Sequence, residues 1–280
     1  MRAIHVQDIY KAIVQALLDI NTRLPPDILA AVKHAIKKEN TERARKFLQI
    51  IVENDELAHR EKLPLCQDTG MVMVNLEIGQ EVSLVGGDLT AAVNRGIREA
   101  YKKGYFRPSI VHDPIERINT GDNTPGIIYV NIVPGKQLHI EIMVKGAGSE
   151  NMSQVRMLQP SAGLPGIKTF VMEVIKEAGA NACPPLVVGV GIGGNLDKAA
   201  LLAKKALFRR LDQPHLQVGM ALLEQELLCQ INQLGIGPQG MGGVTTALGV
   251  NIETFPTHIA SLPVAVNISC HLNRRTRITI

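Results

Sequence analysis

Three thiols in this 280-residue chain stand in settings that suit chemistry better than packing. Cys66 lies in Leu63-Pro64-Leu65-Cys66-Gln67-Asp68-Thr69-Gly70, followed at once by an amide, a carboxylate, a hydroxyl and a glycine. Cys183 precedes Pro184-Pro185, and Cys270 precedes His271. Three thiolates from distant points of a chain could hold three corners of an iron–sulfur cluster and leave the fourth open for chemistry. Proline after Cys183 removes an amide donor and stiffens the loop. Gln67 and Asp68 bring polar groups beside Cys66. The competing reading is three small buried apolar residues, and spacing this long does not decide between them. Cys229 differs, because it ends the helical run Leu222–Leu228 and reads as a packed helix thiol. Structural zinc sites usually show close Cys pairs, which are absent here; Cys270 with His271 is the only zinc alternative.

Other strings invite the same two-sided reading. Gly189-Val190-Gly191-Ile192-Gly193-Gly194 satisfies GxGxxG between a predicted strand and a predicted helix. The acidic residue that should end the next strand of a dinucleotide site is missing, since Asp212 follows a helix. An anion-binding turn or a glycine turn for close helix–strand packing is the nearer reading. Arg107, in Phe106-Arg107-Pro108-Ser109, offers a fork for a carboxylate, although a lone loop Arg is often only solvated. Thr120-Gly121-Asp122-Asn123-Thr124-Pro125 is a turn-forming string. His258 could orient a group or titrate near neutrality; otherwise it is a core histidine bonded to backbone. Arg274-Arg275-Thr276-Arg277 reads as a solvated basic tail, with a partner-chain contact as the alternative.

These residues need elements to carry them. Ile9, Ile13, Ala16 and Leu17 recur at helical spacing, Pro25-Pro26-Asp27 starts a second helix to about Lys38, and Thr41 opens a third. Met71–Ile78 reads as a strand after the Gln67–Gly70 loop. Asp88 caps a helix to about Lys103. Residues 104–125 show little periodicity, and loops of that length in a compact domain are usually functional. Ile127–Val133 and Leu138–Val144 flank Pro134-Gly135-Lys136-Gln137, predicting a β-hairpin. Further helices are predicted over 165–178, from Asn195 to about Arg210, and over 218–234. Further strands are predicted over 186–190, 244–252 and 264–268. The class is α+β (mixed α/β), with a helical segment over about 1–62 and a core over about 63–280. Together they make one two-lobed domain with glycine-rich loops.

Composition narrows the partners. Apolar residues are 45% and charged residues 20%, ordinary for a globular chain. Trp is absent and aromatics are 3%, so base-stacking platforms for nucleic acid are not expected. A net charge of +4 is too mild to imply DNA or RNA. No apolar run approaches the roughly 20 residues of a membrane span, and no secretory signal is visible. Four dispersed cysteines do not form a disulfide framework, so a reducing cytoplasm is expected.

Taken in order, Leu65–Gly70, Asn119–Pro125, Lys145-Gly146-Ala147-Gly148-Ser149-Glu150, Cys183-Pro184-Pro185, Gly191–Gly194 and Asn267–His271 resemble the class I, iron–sulfur fumarate hydratases. The likeness spans about Ile9 to Arg275. It implies a 4Fe–4S cluster on Cys66, Cys183 and Cys270. It also implies substrate contacts from Gln67, Asp68, Arg107, Gly146, Ala147, Gly148 and His258. Within that pattern Asp68 looks like the acid that exchanges a proton at carbon, and Arg107 like a carboxylate clamp.

Single-chain members continue into a C-terminal domain carrying further substrate-binding cations and the proposed general base. This chain lacks that region, so it resembles the alpha subunit of the two-subunit form, with a beta subunit completing the site in a higher oligomer. The expected activity is reversible hydration of fumarate to (S)-malate, a tricarboxylic acid cycle reaction. The alpha subunit of L-tartrate dehydratase shares the pattern. A non-catalytic iron–sulfur redox or sensor protein and a nicotinamide-dependent dehydrogenase are the alternatives from other classes.

Overall fold

A computed structural model describes residues 1–280. In chain order the elements begin with β1 (Arg2–His5), α1 (Val6–Thr22), α2 (Pro26–Lys38), α3 (Glu42–Glu61), β2 (Met71–Gly79), β3 (Val82–Val85) and α4 (Leu89–Lys103). There follow β4 (Ile127–Val133), β5 (Leu138–Lys145), α5 (Ala147–Glu150), β6 (Gln154–Leu158), α6 (Gly163–Ala178), β7 (Leu186–Gly194) and α7 (Leu196–Ala206). The last are α8 (Val218–Asn232), β8 (Ala247–Thr257), β9 (Leu262–Ser269) and β10 (Arg274–Thr279). The class is the mixed α/β one expected. No helix is long and apolar enough to cross a membrane. Two compact units are formed: Met1–Pro25 with Asn54–Ala147 and Arg274–Ile280, and Pro26–Glu53 with Gly148–Asn273.

The first unit is built on a four-stranded sheet ordered β10-β5-β2-β4, beside a parallel β1–β3 pair. Ile9, Ile13, Leu17 and Ile20 line one face of α1, as their helical spacing requires, and pack with Val93 and Ile97 of α4. Both helices meet Val72, Val74 and Leu76 of β2 and Ile140 and Ile142 of β5. Burying each such side chain contributes roughly 1.5–3 kcal/mol. Asp88 caps α4 as expected, its Oδ1 accepting from the Ala91 amide at 2.6 Å. Gly96 lets the two helices close, since a Cβ there would lie 3.0 Å from Ile13.

The expected hairpin is corrected. Both strands form, but β2 lies between them, pairing with β4 in parallel and with β5 antiparallel. The 134–137 connection crosses the end of β2, where the Gly79 amide donates to the Gln137 carbonyl at 2.8 Å. A side chain at residue 79 would meet the Gly135 carbonyl at 2.5 Å, so the crossing needs glycine. The basic tail is also corrected. Residues 274–279 form an edge strand paired with β5, and Arg274 and Arg275 are buried.

The second unit holds the sheet β6-β9-β7-β8. Strand side chains alternate between faces. Leu186, Val188 and Val190 of β7 therefore join α6 and α8 in one core. Gly189 and Gly191 face α7 instead. A Cβ at these positions would meet the Ala203 and Ala199 carbonyls at 2.2 and 2.1 Å. The glycine run thus continues the strand to Gly194, where a turn was expected, and it serves close helix–strand packing. Asn195 then caps α7, which ends at Ala206, short of Arg210. Cys229 lies on α8 but is exposed, correcting the packed-thiol reading.

Candidate active site

Register places the first group of candidate residues. Met71, where β2 begins, pairs with Lys145, where β5 ends. The 62–70 segment entering β2 and Gly146-Ala147 leaving β5 therefore emerge side by side. Asp68 bridges them: Oδ1 accepts from the Gly70 amide at 3.0 Å and Oδ2 from the Ala147 amide at 2.9 Å. Of the two motif glycines, Gly70 is required by the backbone, whereas Gly146 makes room for the Asp68 side chain. Gly70 has φ +77°, and a Cβ on it would lie 2.8 Å from the Lys145 backbone. A Cβ on Gly146 would lie 2.9 Å from Asp68 Oδ2.

The backbone around Asp68 is held from several sides. The Thr69 hydroxyl donates to the Arg107 carbonyl at 2.7 Å, joining the Cys66 loop to the 104–125 segment. The buried Tyr101 hydroxyl donates to the Thr69 and Gly70 carbonyls at 2.7 and 2.9 Å. Burial pushes the Tyr101 hydroxyl well above the usual phenol range, more than the nearby Arg274 cation lowers it, so it remains a donor. Asn123 donates from Nδ2 to the Gly70 carbonyl and accepts at Oδ1 from the Ser109 amide. Arg274 donates to the Asp68 carbonyl at 2.9 Å.

Cys66 is partly exposed and Gln67 exposed. The Arg107 guanidinium is exposed and makes no hydrogen bond or ion pair within the chain, so it can meet a ligand carboxylate. Asp122, in the turn string, supports the 104–125 segment. Burial alone would raise its carboxyl. Hydrogen bonds from the Thr124 hydroxyl, the Arg98 guanidinium and the Thr124 amide outweigh that and lower it to about 2.

The second unit carries the other two cluster candidates. Cys183 is exposed and has φ +53°, a left-handed conformation that non-glycine residues rarely adopt and that clusters at functional sites. Its carbonyl lies 3.0 Å from His271 Nδ1, so the turn carrying Cys270 and His271 rests against the Cys183 loop. Gln239, itself at φ +54°, donates from its amide and its Nε2 to the Pro184 carbonyl at 2.8 and 2.9 Å. In α5, which Gly148 helps form, Glu150 pairs with Lys204 and accepts from Asn267 at 3.2 Å. His258 is exposed in the β8–β9 turn, with Nδ1 accepting from the Ala260 amide at 3.1 Å. It is bonded to backbone but is not a core histidine, and no hydrogen bond ties it to the cysteine loops.

Within the first unit, Cys66, Gln67, Asp68, Arg107, Gly146 and Ala147 are thus brought together. Within the second, Cys183 and Cys270 are joined through His271. Tyr101 and Gln239 were not anticipated; their sequence settings show no polar clustering that separates them from ordinary helix or loop residues. Asn123 was read only as a turn residue.

The four cysteines form no disulfide, and none belongs to the hydrophobic cores. No group of three or more His, Cys, Asp and Glu side chains is gathered for a single metal ion. Thiolates on a cluster bind separate irons, so its ligands do not crowd one point. Three thiols set outside the cores have the donor chemistry an iron–sulfur group takes.

Comparison with known proteins gives the family. The family model described as fumarate hydratase (Fumerase) matches residues 10–279. A protein of Methanocaldococcus jannaschii named "Putative L(+)-tartrate dehydratase subunit alpha" is 43% identical over 272 residues, 94% of each chain. The L(+)-tartrate dehydratase subunit alpha of Escherichia coli strain UTI89 is 35% identical over 260 residues, 91% of this chain and 85% of that one. The strain K12 protein of the same name is 34% identical over the same span. Matched over nearly its whole length, the chain belongs to the fumarate hydratase (Fumerase) family.

Proposed function

We propose that this chain is the alpha subunit of an iron–sulfur hydro-lyase that hydrates fumarate reversibly to (S)-malate, with a separate beta subunit completing the site. The carrying observation is the Asp68 carboxylate, fixed by two backbone amides two residues beyond Cys66. A 4Fe–4S cluster held by Cys66, Cys183 and Cys270 would supply a Lewis-acidic iron to polarise the substrate. Asp68 exchanges the proton at the carbon adjacent to the one that carries the hydroxyl. Gln67 and the exposed Arg107 hold a carboxylate, Arg107 by a charge-assisted fork. Gly146, Ala147 and Gly148 would contact the substrate, and His258 adds a polar contact. The general base belongs to the beta subunit. The whole chain acts as one catalytic subunit, in the cytoplasm, where thiols stay reduced.

Dehydration of L-tartrate is the second reading, favoured by the names of the relatives at 43% and 35% identity. Both substrates are four-carbon dicarboxylates, and both reactions remove water across adjacent carbons. Anaerobic co-expression with the beta subunit, followed by fumarate, (S)-malate and L-tartrate assays, separates them. Turnover of fumarate and malate supports the first reading, and turnover of tartrate alone replaces it with the second. A Cys66→Ser chain that keeps its full iron content would overturn both.

A further inference from the structure

Arg274 is 2% exposed, yet no carboxylate pairs with it. Its Nη1 donates to Asn21 Oδ1 at 3.1 Å and its Nη2 to the Asp68 carbonyl at 2.9 Å, while Nε is buried with no partner. A buried cation satisfied only by neutral oxygens is costly, and folds retain few of them. Asn21, wholly buried in the last turn of α1, explains the geometry. Its side-chain amide donates to the Leu17 carbonyl at 2.9 Å, which turns Oδ1 toward Arg274. Its main-chain carbonyl accepts from the Leu65 amide at 2.8 Å. Asn54 Nδ2 then donates to the Leu65 carbonyl at 3.0 Å. Leu65 and Asp68, the residues flanking Cys66-Gln67, are therefore both anchored to the Asn21–Arg274 pair.

We propose that Arg274 is a positioning residue. It fixes the Asp68 backbone so that the carboxylate stands ready between the Gly70 and Ala147 amides, and it places a buried positive charge behind a loop that binds anionic groups. This rests on the role given to Asp68 above. The charge is used because the site's own ligands are negative: thiolates and a dicarboxylate. Packing alone would be served as well by an apolar side chain, which carries no desolvation cost.

The test compares Arg274→Met and Arg274→Lys with the wild type, each co-expressed with the beta subunit and reconstituted anaerobically. Arg274→Met should lower kcat about tenfold or more while KM stays within about threefold, since misplacing a reacting group costs turnover. Iron per chain should be unchanged. Arg274→Lys should recover part of kcat. Hydrogen exchange of a peptide covering 65–70 should quicken about tenfold in Arg274→Met, with β2 and β5 peptides unaltered. A kcat within twofold of wild type in Arg274→Met overturns the proposal. So does an even rise of exchange through the whole β10-β5-β2-β4 sheet, which would mark a merely structural residue. Should Arg274→Met not fold, Arg274→Lys alone decides: unchanged kcat and unchanged exchange at 65–70 sink the idea. Absence of turnover in the wild type would instead remove the hydro-lyase reading, and the exchange measurement would still decide whether Arg274 holds the loop.

Discussion

The Asp68 carboxylate occupies the space that a side chain on residue 146 would need. The carboxylate Oδ2 sits where a Cβ on residue 146 would lie 2.9 Å away, and Cγ would be only 3.2 Å off. Gly146→Ala must therefore move Asp68 by a few tenths of an ångström or break its bond to the Ala147 amide. The fold should survive, because Gly146 lies at the surface end of β5. Turnover should fall about tenfold to a hundredfold, the scale set by small misplacements of reacting groups. Steady-state kinetics beside a thermal melt checks this: full activity in a well-folded Gly146→Ala enzyme would deny Asp68 its place in the chemistry.

The cysteines divide by setting, and their serine variants should divide the same way. Cys66→Ser, Cys183→Ser and Cys270→Ser should each lose most of the bound iron and sulfide after anaerobic reconstitution. Cys229→Ser should keep both, since Cys229 is exposed on α8 and its sulfur accepts from Gln233 Nε2 at 3.7 Å. Chelation of iron from the wild type should abolish activity, and reconstitution should restore it. Iron and sulfide analysis per chain reads the four variants, and a turnover assay reads the chelation. A Cys229→Ser chain that fails to bind iron would point to a different ligand set.

Local signals in the sequence were sound where a segment's own residues decide its structure. The Asp88 cap, the helical spacing of Ile9, Ile13 and Leu17, and the irregular 104–125 segment all follow from neighbours a few positions apart. Pairing across the sheet was not legible in the same way. Pro134–Gln137 looks like a hairpin turn, whereas β2 pairs with both flanking strands and passes between them. Arg274 reads as solvated by composition, whereas β10 pairing and the Asp68 and Asn21 oxygens bury it. Among the candidate site residues, motif strings marked Cys66, Gln67, Asp68 and the Gly146–Gly148 stretch. Tyr101 and Asn21 escaped because they act from behind the loop, through backbone carbonyls that no side-chain pattern advertises.

Asp122 should make the first unit acid-sensitive over a narrow range. Its folded carboxyl is depressed to about 2 from an ordinary 3.8. A depressed acid stabilises the fold fully above its unfolded value, and that contribution fades as pH falls from about 4 toward about 2. The Arg98 partner is half exposed, so solvent screening keeps the effect modest. Asp122→Asn should be less stable than wild type at pH 7 and indistinguishable from it near pH 2. Urea denaturation at several pH values tests this; a stability difference that persists unchanged to pH 2 would assign the effect to lost packing.

The glycine run offers a test that separates packing from cofactor binding. Gly191 lies in β7 against α7, and a methyl group there would sit 2.1 Å from the Ala199 carbonyl and 2.5 Å from the Ala203 amide nitrogen. Backbone atoms on a helix cannot step aside singly, so α7 must move away as a body. Gly191→Ala should destabilise the second unit by about 2 kcal/mol or more, at the upper end of overpacking costs. A nucleotide-binding loop predicts something else: wild type stabilised by NAD, and a variant that folds normally but loses that stabilisation. Thermal melts of wild type and Gly191→Ala, with and without NAD, separate the two. A melting temperature that falls in the variant and ignores NAD in both chains fits a glycine kept for helix–strand contact, because the clash distance involves protein atoms alone.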